Sequence, residues 1–153
     1  MQADSASQAE QDEFYMGRCL ELAARALGQT SPNPLVGAVV VSADGRVVGE
    51  GFHSRAGEPH AEPLALAAAA AQARGGTLYV NLEPCSHFGR TPPCAEAVVR
   101  AGLKRVVVGT VDPNEKVAGA GLRLIQESGI EVLAGVRVRQ CRELNRGFLK
   151  SME

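Results

Sequence analysis

The spacing of apolar residues divides most of the chain into helices and strands. Apolar positions recur at helical intervals from Phe14 to Leu27, and Gly28 is typical of a helix end. Two β-branched runs follow, "LVGAVVVS" and "RVVGEGFH", and the "ADGR" between them contains the Asp-Gly pair that favours a tight hairpin. These patterns predict a first helix over residues 14–27, followed by a β-hairpin.

Beyond the hairpin, helical and strand-like segments alternate. The alanine-rich stretch 60–74 is predicted to be a helix because alanine has the highest helix propensity and Gly75-Gly76 end the run. We predict further helices over 93–101, 117–128 and 138–150, and single strands over 77–82, 105–110 and 130–135. Such alternation indicates an α/β sandwich, in which a mixed sheet of about five strands is covered by helices on both faces.

The length and the first residues predict one folded domain. A chain of 153 residues is long enough to bury one core. Residues 1–13 are polar and acidic, so we predict a disordered lead-in there and a single domain over 14–153. The lead-in lacks the basic and apolar runs of a secretory signal, and no stretch reaches the roughly 20 apolar residues that cross a membrane. The sequence therefore predicts a cytoplasmic protein that does not enter a membrane.

The overall charge argues against nucleic acid as a partner. The formal net charge is −1, which provides no basic field to hold a polyanion. A small molecule is the expected ligand. Whether several copies assemble into a homo-oligomer is left open by the sequence.

Two separated stretches carry the residue types of a metal site. His60 and Glu62 stand at the start of the alanine-rich helix, and Cys85 and Cys94 belong to the stretch that runs into the start of the next one. In a reducing compartment, a close pair of cysteines is more typical of a metal or catalytic site than of a disulfide. One imidazole and two thiolates suit zinc and leave a fourth tetrahedral position for water, although iron or cobalt could occupy the same ligands. Glu62 is placed to move protons rather than to bind the metal.

The order H-x-E and then P-C is typical of zinc deaminases, in which activated water attacks an amine-bearing ring carbon. The common form of that pattern has two residues between the cysteines, whereas eight residues separate Cys85 from Cys94 here. This longer spacing restricts which of the zinc-deaminase families the sequence can resemble.

Five motifs in this order resemble the deaminase domain of the bifunctional riboflavin-biosynthesis deaminase/reductase family: "SPNPLVGAVVV", "GEGFH", "HAE", "LEPCSHFGRTPPC" and "VDPN". The resemblance covers about residues 14–153 and implies a cytidine-deaminase-like three-layer α/β/α fold. It implies zinc as cofactor and, as substrate, 2,5-diamino-6-ribosylamino-4(3H)-pyrimidinone 5′-phosphate, whose 2-amino group leaves as ammonia. The motifs of the family's reductase half do not occur in this sequence, so a fused or separate reductase is the implied partner.

The resemblance also implies a role for particular residues. It makes His60, Cys85 and Cys94 the zinc ligands and Glu62 the proton shuttle. It further implies three groups of substrate contacts: Asn33 and His53 on the pyrimidine, His87 and Arg90 near the ribose phosphate, and Asp112 and Asn114 on the ribose side. This chain has Pro63 and Asn81 where the family usually has valine and threonine. Proline is tolerated in a first helical turn, and Asn81 is interpreted as altering a substrate contact.

Two other functions share these motifs. A deaminase of tRNA or of a free nucleobase has the same site chemistry, but the spacing of eight residues between the cysteines counts against it. A non-catalytic zinc scaffold for a separate reductase would also bind the metal. The presence of Glu62, which ligates nothing in this scheme, counts against the scaffold.

Overall fold

A computed structural model describes residues 7–26, 35–54, 60–84, 94–111 and 119–146. In chain order the elements are α1 (Gln8–Ala24), β1 (Gly37–Val41), β2 (Val47–Phe52), α2 (Ala61–Ala69) with a 3-10 turn at Ala70–Ala73, β3 (Thr77–Leu82), α3 (Cys94–Arg100), β4 (Arg105–Thr110), α4 (Ala120–Glu127), β5 (Glu131–Ala134) and α5 (Val138–Leu144). None of the helices in these described ranges has the length and the apolar character of a membrane-spanning segment.

The strands form one mixed sheet in the order β2-β1-β3-β4-β5. The pairs β1–β2 and β1–β3 are antiparallel, whereas β3–β4 and β4–β5 are parallel. The antiparallel register places Ala38 opposite Val80, so the start of β1 lies beside the carboxyl end of β3. The predicted hairpin and the predicted α/β fold with a five-stranded mixed sheet are confirmed.

Each face of the sheet has its own core, because successive side chains of a strand point to opposite faces. Ala38 and Val40 of β1 pack on one side with residues of α2, α3 and α4. Val39 and Val41 pack on the other side with residues of α1 and α5. The helices therefore cover both faces and complete the three layers.

The alanines of α2 allow this helix to lie very close to the sheet. A Cβ atom on Gly49 of β2 would lie 2.1 Å from the carbonyl oxygen of Ala65, so only glycine fits at that contact. Ala61, Ala65, Ala69 and Ala73 are all buried in the core between α2 and the sheet. The alanine run therefore serves close packing, and it fixes the start of α2 relative to the strands.

The first helix begins earlier than predicted. It starts at Gln8 and not at Phe14, so the predicted disordered lead-in over 1–13 is wrong for residues 8–13; residues 1–6 lie outside the described part of the chain. Ser7 and Glu10 form a capping box, in which the Glu10 amide donates to Ser7 Oγ at 3.1 Å and the Ser7 amide donates to Glu10 Oε1 at 2.9 Å. The sequence signal was therefore present in the S-x-x-E spacing.

Other helix ends differ from the predictions by a few residues. The predicted helix 60–74 leaves the α conformation at Ala70, where φ is 51°. The predicted helix 117–128 begins after Gly119, whose φ of 80° is incompatible with a helix and suits glycine. The last helix, predicted over 138–150, is described as far as Leu144, and residues 147–150 lie outside the described part.

Asp12 ties α1 to the middle of the sheet. Its carboxylate accepts two hydrogen bonds from the Arg105 guanidinium, at 2.8 and 2.7 Å, and one from Tyr79 Oη at 2.8 Å. Burial by itself would raise the pKa of Asp12, but the hydrogen bonds from Arg105 and Tyr79 outweigh burial and lower it. This buried ion pair explains why the helix extends before Phe14.

Replacing Asp12 with asparagine is expected to lower the free energy of unfolding by about 3 kcal/mol at pH 7, because Arg105 then keeps a largely buried charge whose remaining partner, Glu131, is 65% exposed. The pKa of Asp12 is lower in the folded state, so its contribution is fully present above the unfolded pKa of about 4 and is lost as the pH falls through the folded value. Urea unfolding at pH 7 and at pH 3 checks both points. Glu21→Gln is the control on the same helix, since the Glu21 side chain is 69% exposed. If Asp12→Asn lowered the free energy of unfolding by the same amount at both pH values, the pH dependence assigned to Asp12 would be contradicted.

Candidate metal centre

His60 and Glu62 are placed by the start of α2. His60 is the N-cap residue, with extended backbone (φ −73°, ψ 168°), and Glu62 lies in the first turn. The Glu62 side chain is buried, with 4% of its surface exposed, whereas His60 is exposed. The change from extended to helical backbone between the two residues lets both side chains reach the same region.

Cys94 comes to the same region from a different helix. It is the first residue of α3 and is buried at 3% exposure. His60 Nδ1 lies 3.2 Å from Cys94 Sγ, and one ligand atom from each of His60, Glu62 and Cys94 lies within 4.8 Å of the others. A tetrahedral zinc ion with ordinary bond lengths would separate its nitrogen and sulfur ligands by about 3.6 Å. The spacing and chemistry of these donors therefore fit a zinc ion, with Nδ1 as the donor atom of His60.

The helices α2 and α3 lie side by side on the same face of the sheet. Ala61 and Ala65 of α2 and Ala95 and Val98 of α3 share one core. Because both helices start at the same edge, their N-termini converge on the candidate centre. The partial positive charge of a helix start favours a thiolate over a thiol, which is the form of Cys94 that a metal binds.

His53 also belongs to this cluster. It directly follows β2, is 3% exposed, and its ring packs edge-on against the His60 ring with the two centroids 5.1 Å apart. The structure therefore brings His53 beside the candidate ligand His60. Six other residues predicted for the site lie outside the described part of the chain: Asn33, Cys85, His87, Arg90, Asp112 and Asn114.

The described positions next to Cys85 and Asp112 lie at one edge of the sheet. Cys85 directly follows Pro84 at the end of β3, and Asp112 directly follows Val111 at the end of β4. The strands β3 and β4 are parallel neighbours, with Leu82 paired to Thr110. The carboxyl ends of both strands thus lead toward the edge where ligands gather in open α/β sheets.

Sequence reasoning missed Glu83, which anchors the strand before Cys85 to helix α4. Its carboxylate accepts hydrogen bonds from the backbone amides of Gly119 at 3.0 Å, Gly121 at 2.9 Å and Leu122 at 3.4 Å. A Cβ atom on Gly121 would lie 2.1 Å from the Pro84 carbonyl oxygen, so the start of α4 is pressed against the Glu83–Pro84 segment. The only signal in the sequence was a glutamate directly after an apolar strand, and its burial became visible only in the structure.

Replacing Glu83 with alanine is expected to lower the free energy of unfolding by about 1 to 3 kcal/mol, because backbone amides at the start of α4 lose their acceptor. We also expect zinc affinity to fall on the order of tenfold to 100-fold, as it does when residues that orient metal ligands are removed. Urea unfolding and a competitive zinc titration measure the two effects. Glu127→Ala, at the exposed far end of α4, is the control, and a Glu83 variant indistinguishable from it would contradict the anchoring role.

Asn81 has a different role from the one expected. It is fully buried, its Oδ1 accepts from the Gly37 amide at 2.8 Å, and its Nδ2 donates to the Leu35 carbonyl at 3.0 Å. Both ends of its amide therefore bind backbone groups at the start of β1. The expectation that Asn81 alters a substrate contact is replaced by a role inside the fold.

Comparison with known proteins agrees with this geometry. A family model of the cytidine and deoxycytidylate deaminase zinc-binding region matches residues 9–110. The chain is 56% identical over 142 residues to the riboflavin biosynthesis protein RibD of Escherichia coli, covering 93% of this chain and 38% of that protein. It is 45% identical over 141 residues to the diaminohydroxyphosphoribosylamino-pyrimidine deaminase of Buchnera aphidicola subsp. Schizaphis graminum, covering 92% of this chain and 95% of that protein.

Solved structures show the same relationship. The RibD of Acinetobacter baumannii superposes with a TM-score of 0.93 at 53% sequence identity, covering 95% of this chain and 41% of that one. The chain thus spans about two fifths of the length of the RibD proteins it matches. The family match extends over more than half of the chain and includes His53, His60, Glu62 and Cys94. By this match and by its fold, the chain belongs to the cytidine and deoxycytidylate deaminase family.

Proposed function

We propose that this chain is a zinc-dependent deaminase that acts on 2,5-diamino-6-ribosylamino-4(3H)-pyrimidinone 5′-phosphate. The observation that carries the proposal is the convergence of His60, Glu62 and Cys94 at two helix starts, within 4.8 Å of one another. The substrate is inferred from the relative of nearly equal length, whose name is that of the corresponding pyrimidine deaminase. In the reaction, water adds its oxygen to the ring carbon that bears the 2-amino group, and that group leaves as ammonia.

In this proposal His60, Cys94 and Cys85 hold the zinc ion. The first two bring their donor atoms to 3.2 Å, and Cys85 follows directly after the anchored Glu83–Pro84 segment. Bound zinc would supply Lewis acidity, which makes water nucleophilic at neutral pH. Iron or cobalt could bind the same donors, but a tetrahedral site of nitrogen and sulfur ligands is most typical of zinc.

Glu62 is the proposed proton carrier. Its carboxylate would accept a proton from the attacking water and return it to the departing amine, so that the glutamate ends in its starting state. Glu62 is buried at 4% exposure, which limits exchange of that proton with bulk water. Glu62 also lies on the first turn of α2, directly after the N-cap residue His60, so the start of one helix positions both the proposed proton carrier and a proposed ligand.

The proposed substrate contacts fall into three groups, which bind the pyrimidine, the phosphate and the ribose. His53, held against His60, and Asn33 would bind the pyrimidine. His87 and Arg90 would bind the phosphate end, because a guanidinium forms paired charge-assisted hydrogen bonds with a phosphate. Asp112 and Asn114 would bind the ribose. The relatives of greater length suggest that a reductase, fused or separate, acts together with this domain.

Ammonia release from a panel of substrates tests the proposal. The panel contains the phosphorylated pyrimidine, its dephosphorylated form, cytidine, guanine and tRNA. We expect release from the phosphorylated pyrimidine and a much slower rate with the dephosphorylated form. Preference for guanine, cytidine or tRNA would replace the proposed substrate, and a zinc-loaded protein inactive on the whole panel would support the non-catalytic scaffold.

A further inference from the structure

Two asparagine side chains hold the backbone of Leu35, just before β1. Asn145 Oδ1 accepts from the Leu35 amide at 2.6 Å, and Asn145 Nδ2 donates to the Leu35 carbonyl at 2.9 Å. Asn81 Nδ2 donates to the same carbonyl at 3.0 Å, and Asn81 Oδ1 accepts from the Gly37 amide. The Leu35 carbonyl thus accepts two side-chain hydrogen bonds, and its amide donates a third.

The site of this double contact is buried, and it requires side chains that both donate and accept hydrogen bonds. Asn81 is 0% exposed, Asn145 is 3% exposed and Leu35 is 7% exposed. A buried backbone group that loses its partner is costly, because water cannot replace the lost hydrogen bond. A side-chain amide carries a donor and an acceptor on one planar group, so neither leucine nor an ionised aspartate could reproduce both contacts.

The contacts join distant parts of the chain. Asn81 lies on the central strand β3, whereas Asn145 directly follows α5 and is 110 residues away from Leu35 in sequence. The deaminase family match ends at residue 110, so α5 and Asn145 lie beyond it. A helix outside the family match therefore holds the backbone that leads into β1.

The held backbone leads directly to the candidate metal centre. The Val36 carbonyl, next to Leu35, accepts a hydrogen bond from the His53 amide at 3.1 Å. The His53 ring packs edge-on against the His60 ring, and His60 Nδ1 lies 3.2 Å from Cys94 Sγ. An uninterrupted series of contacts thus runs from Asn145 and Asn81, through Leu35, Val36 and His53, to the candidate ligands.

We infer that Asn81 and Asn145 are positioning residues, which hold Leu35 so that His53 stays packed against His60, and that α5 is thereby part of the scaffold of the active site. The activity readout rests on the proposed function, whereas the contact readouts below do not.

The experiment uses Asn145→Ala, with Asn81→Thr as a milder second variant, because threonine suits a strand and can replace one of the two hydrogen bonds of Asn81. Ile130→Ala is the control for loss of stability. Ile130 is buried just before β5, at the amino end of the parallel strands and away from the centre. All assays are run well below the unfolding temperature of each variant.

Two spectroscopic readouts test the positioning directly. We expect the hydrogen of the Leu35 amide to exchange at least tenfold faster in Asn145→Ala than in the wild-type protein. The ring resonances of His53 and His60 should also shift, and they can be assigned because the chain has 3 histidines. Neither change is expected in Ile130→Ala.

The kinetic readout separates positioning from stability. With the phosphorylated pyrimidine, KM should rise about tenfold in Asn145→Ala, and by a smaller factor in Asn81→Thr, while kcat changes less and the control keeps both values. Histidine resonances that stay at wild-type positions, although Leu35 has lost its protection, would overturn the inference. If no substrate in the panel reacts, the proposed function fails, and the histidine resonances alone then decide the inference.

Discussion

Replacing Cys94 with alanine is expected to remove both the zinc and the activity. The purified wild-type protein should carry about one zinc per chain, and the variant should carry far less, because Cys94 Sγ, 3.2 Å from His60 Nδ1, is a proposed sulfur ligand. We expect turnover to fall by at least about 10³-fold, since a bound metal lowers the pKa of water towards neutrality and free water is a far weaker acid. Elemental analysis and ammonia release measure the two losses.

Cys141→Ala is the matched control for this change. Cys141 is also buried, but it lies in the core between the sheet and helices α1 and α5, on the face opposite α2 and α3. Burial raises the pKa of its thiol to about 11, so the thiol stays protonated at neutral pH. We expect this variant to keep its zinc and its turnover while losing some stability. A Cys94→Ala protein with full zinc and normal turnover would refute the ligand assignment.

Replacing Glu62 with glutamine is expected to separate catalysis from metal binding. Glutamine has the same shape as glutamate but cannot carry the proton, so turnover should fall on the order of 10² to 10⁴-fold. Zinc should remain at about one per chain, because the proposed ligands are unchanged. The distances in the structure allow Glu62 to act either as shuttle or as ligand, since its carboxylate lies within 4.8 Å of both His60 and Cys94. Zinc content of the variant decides between these roles.

Glu96→Gln provides the comparison for Glu62→Gln. Glu96 occupies the first turn of α3, as Glu62 occupies that of α2, but its side chain is 41% exposed and pairs with Arg100 on the same helix. The same change there should leave zinc and turnover near the wild-type values. Loss of zinc from Glu62→Gln, with Glu96→Gln unaffected, would make Glu62 a ligand and would leave the proton transfer to another group.

Much of the fold could be predicted from local patterns. The hairpin of β1 and β2, the alternating strands and helices, and the covered sheet are encoded in short-range periodicity and turn residues. The pairing of His60 with Cys94 could be predicted because metal chemistry restricts which residue types occur together. The assignment of Cys85 as the third ligand stays a prediction, because Cys85 lies outside the described part of the chain.

Helix boundaries were less well predicted than element types. The capping box of Ser7 and Glu10 was readable in the sequence, yet the polar character of the first 13 residues suggested disorder. Asp12 shows why that reasoning failed, since a carboxylate that looks solvated in sequence is buried against Arg105, which lies 93 residues further along the chain. Composition gives the average polarity of a segment, whereas the burial of one residue in it depends on the partner that the fold brings beside that residue.

Local spacing and side-chain chemistry were enough to predict the types of the elements, the family and the residue types available for a metal centre. Long-range packing was needed to establish four further features: the strand order, the packing of His53 against His60, the anchoring of α4 by Glu83, and the hydrogen bonds of Asn81 and Asn145 to Leu35. From the sequence alone, each of the polar groups in these contacts could pair with many other groups of the same chemistry. The packing of helices on the sheet selects one partner for each group and excludes the water that would otherwise compete for it.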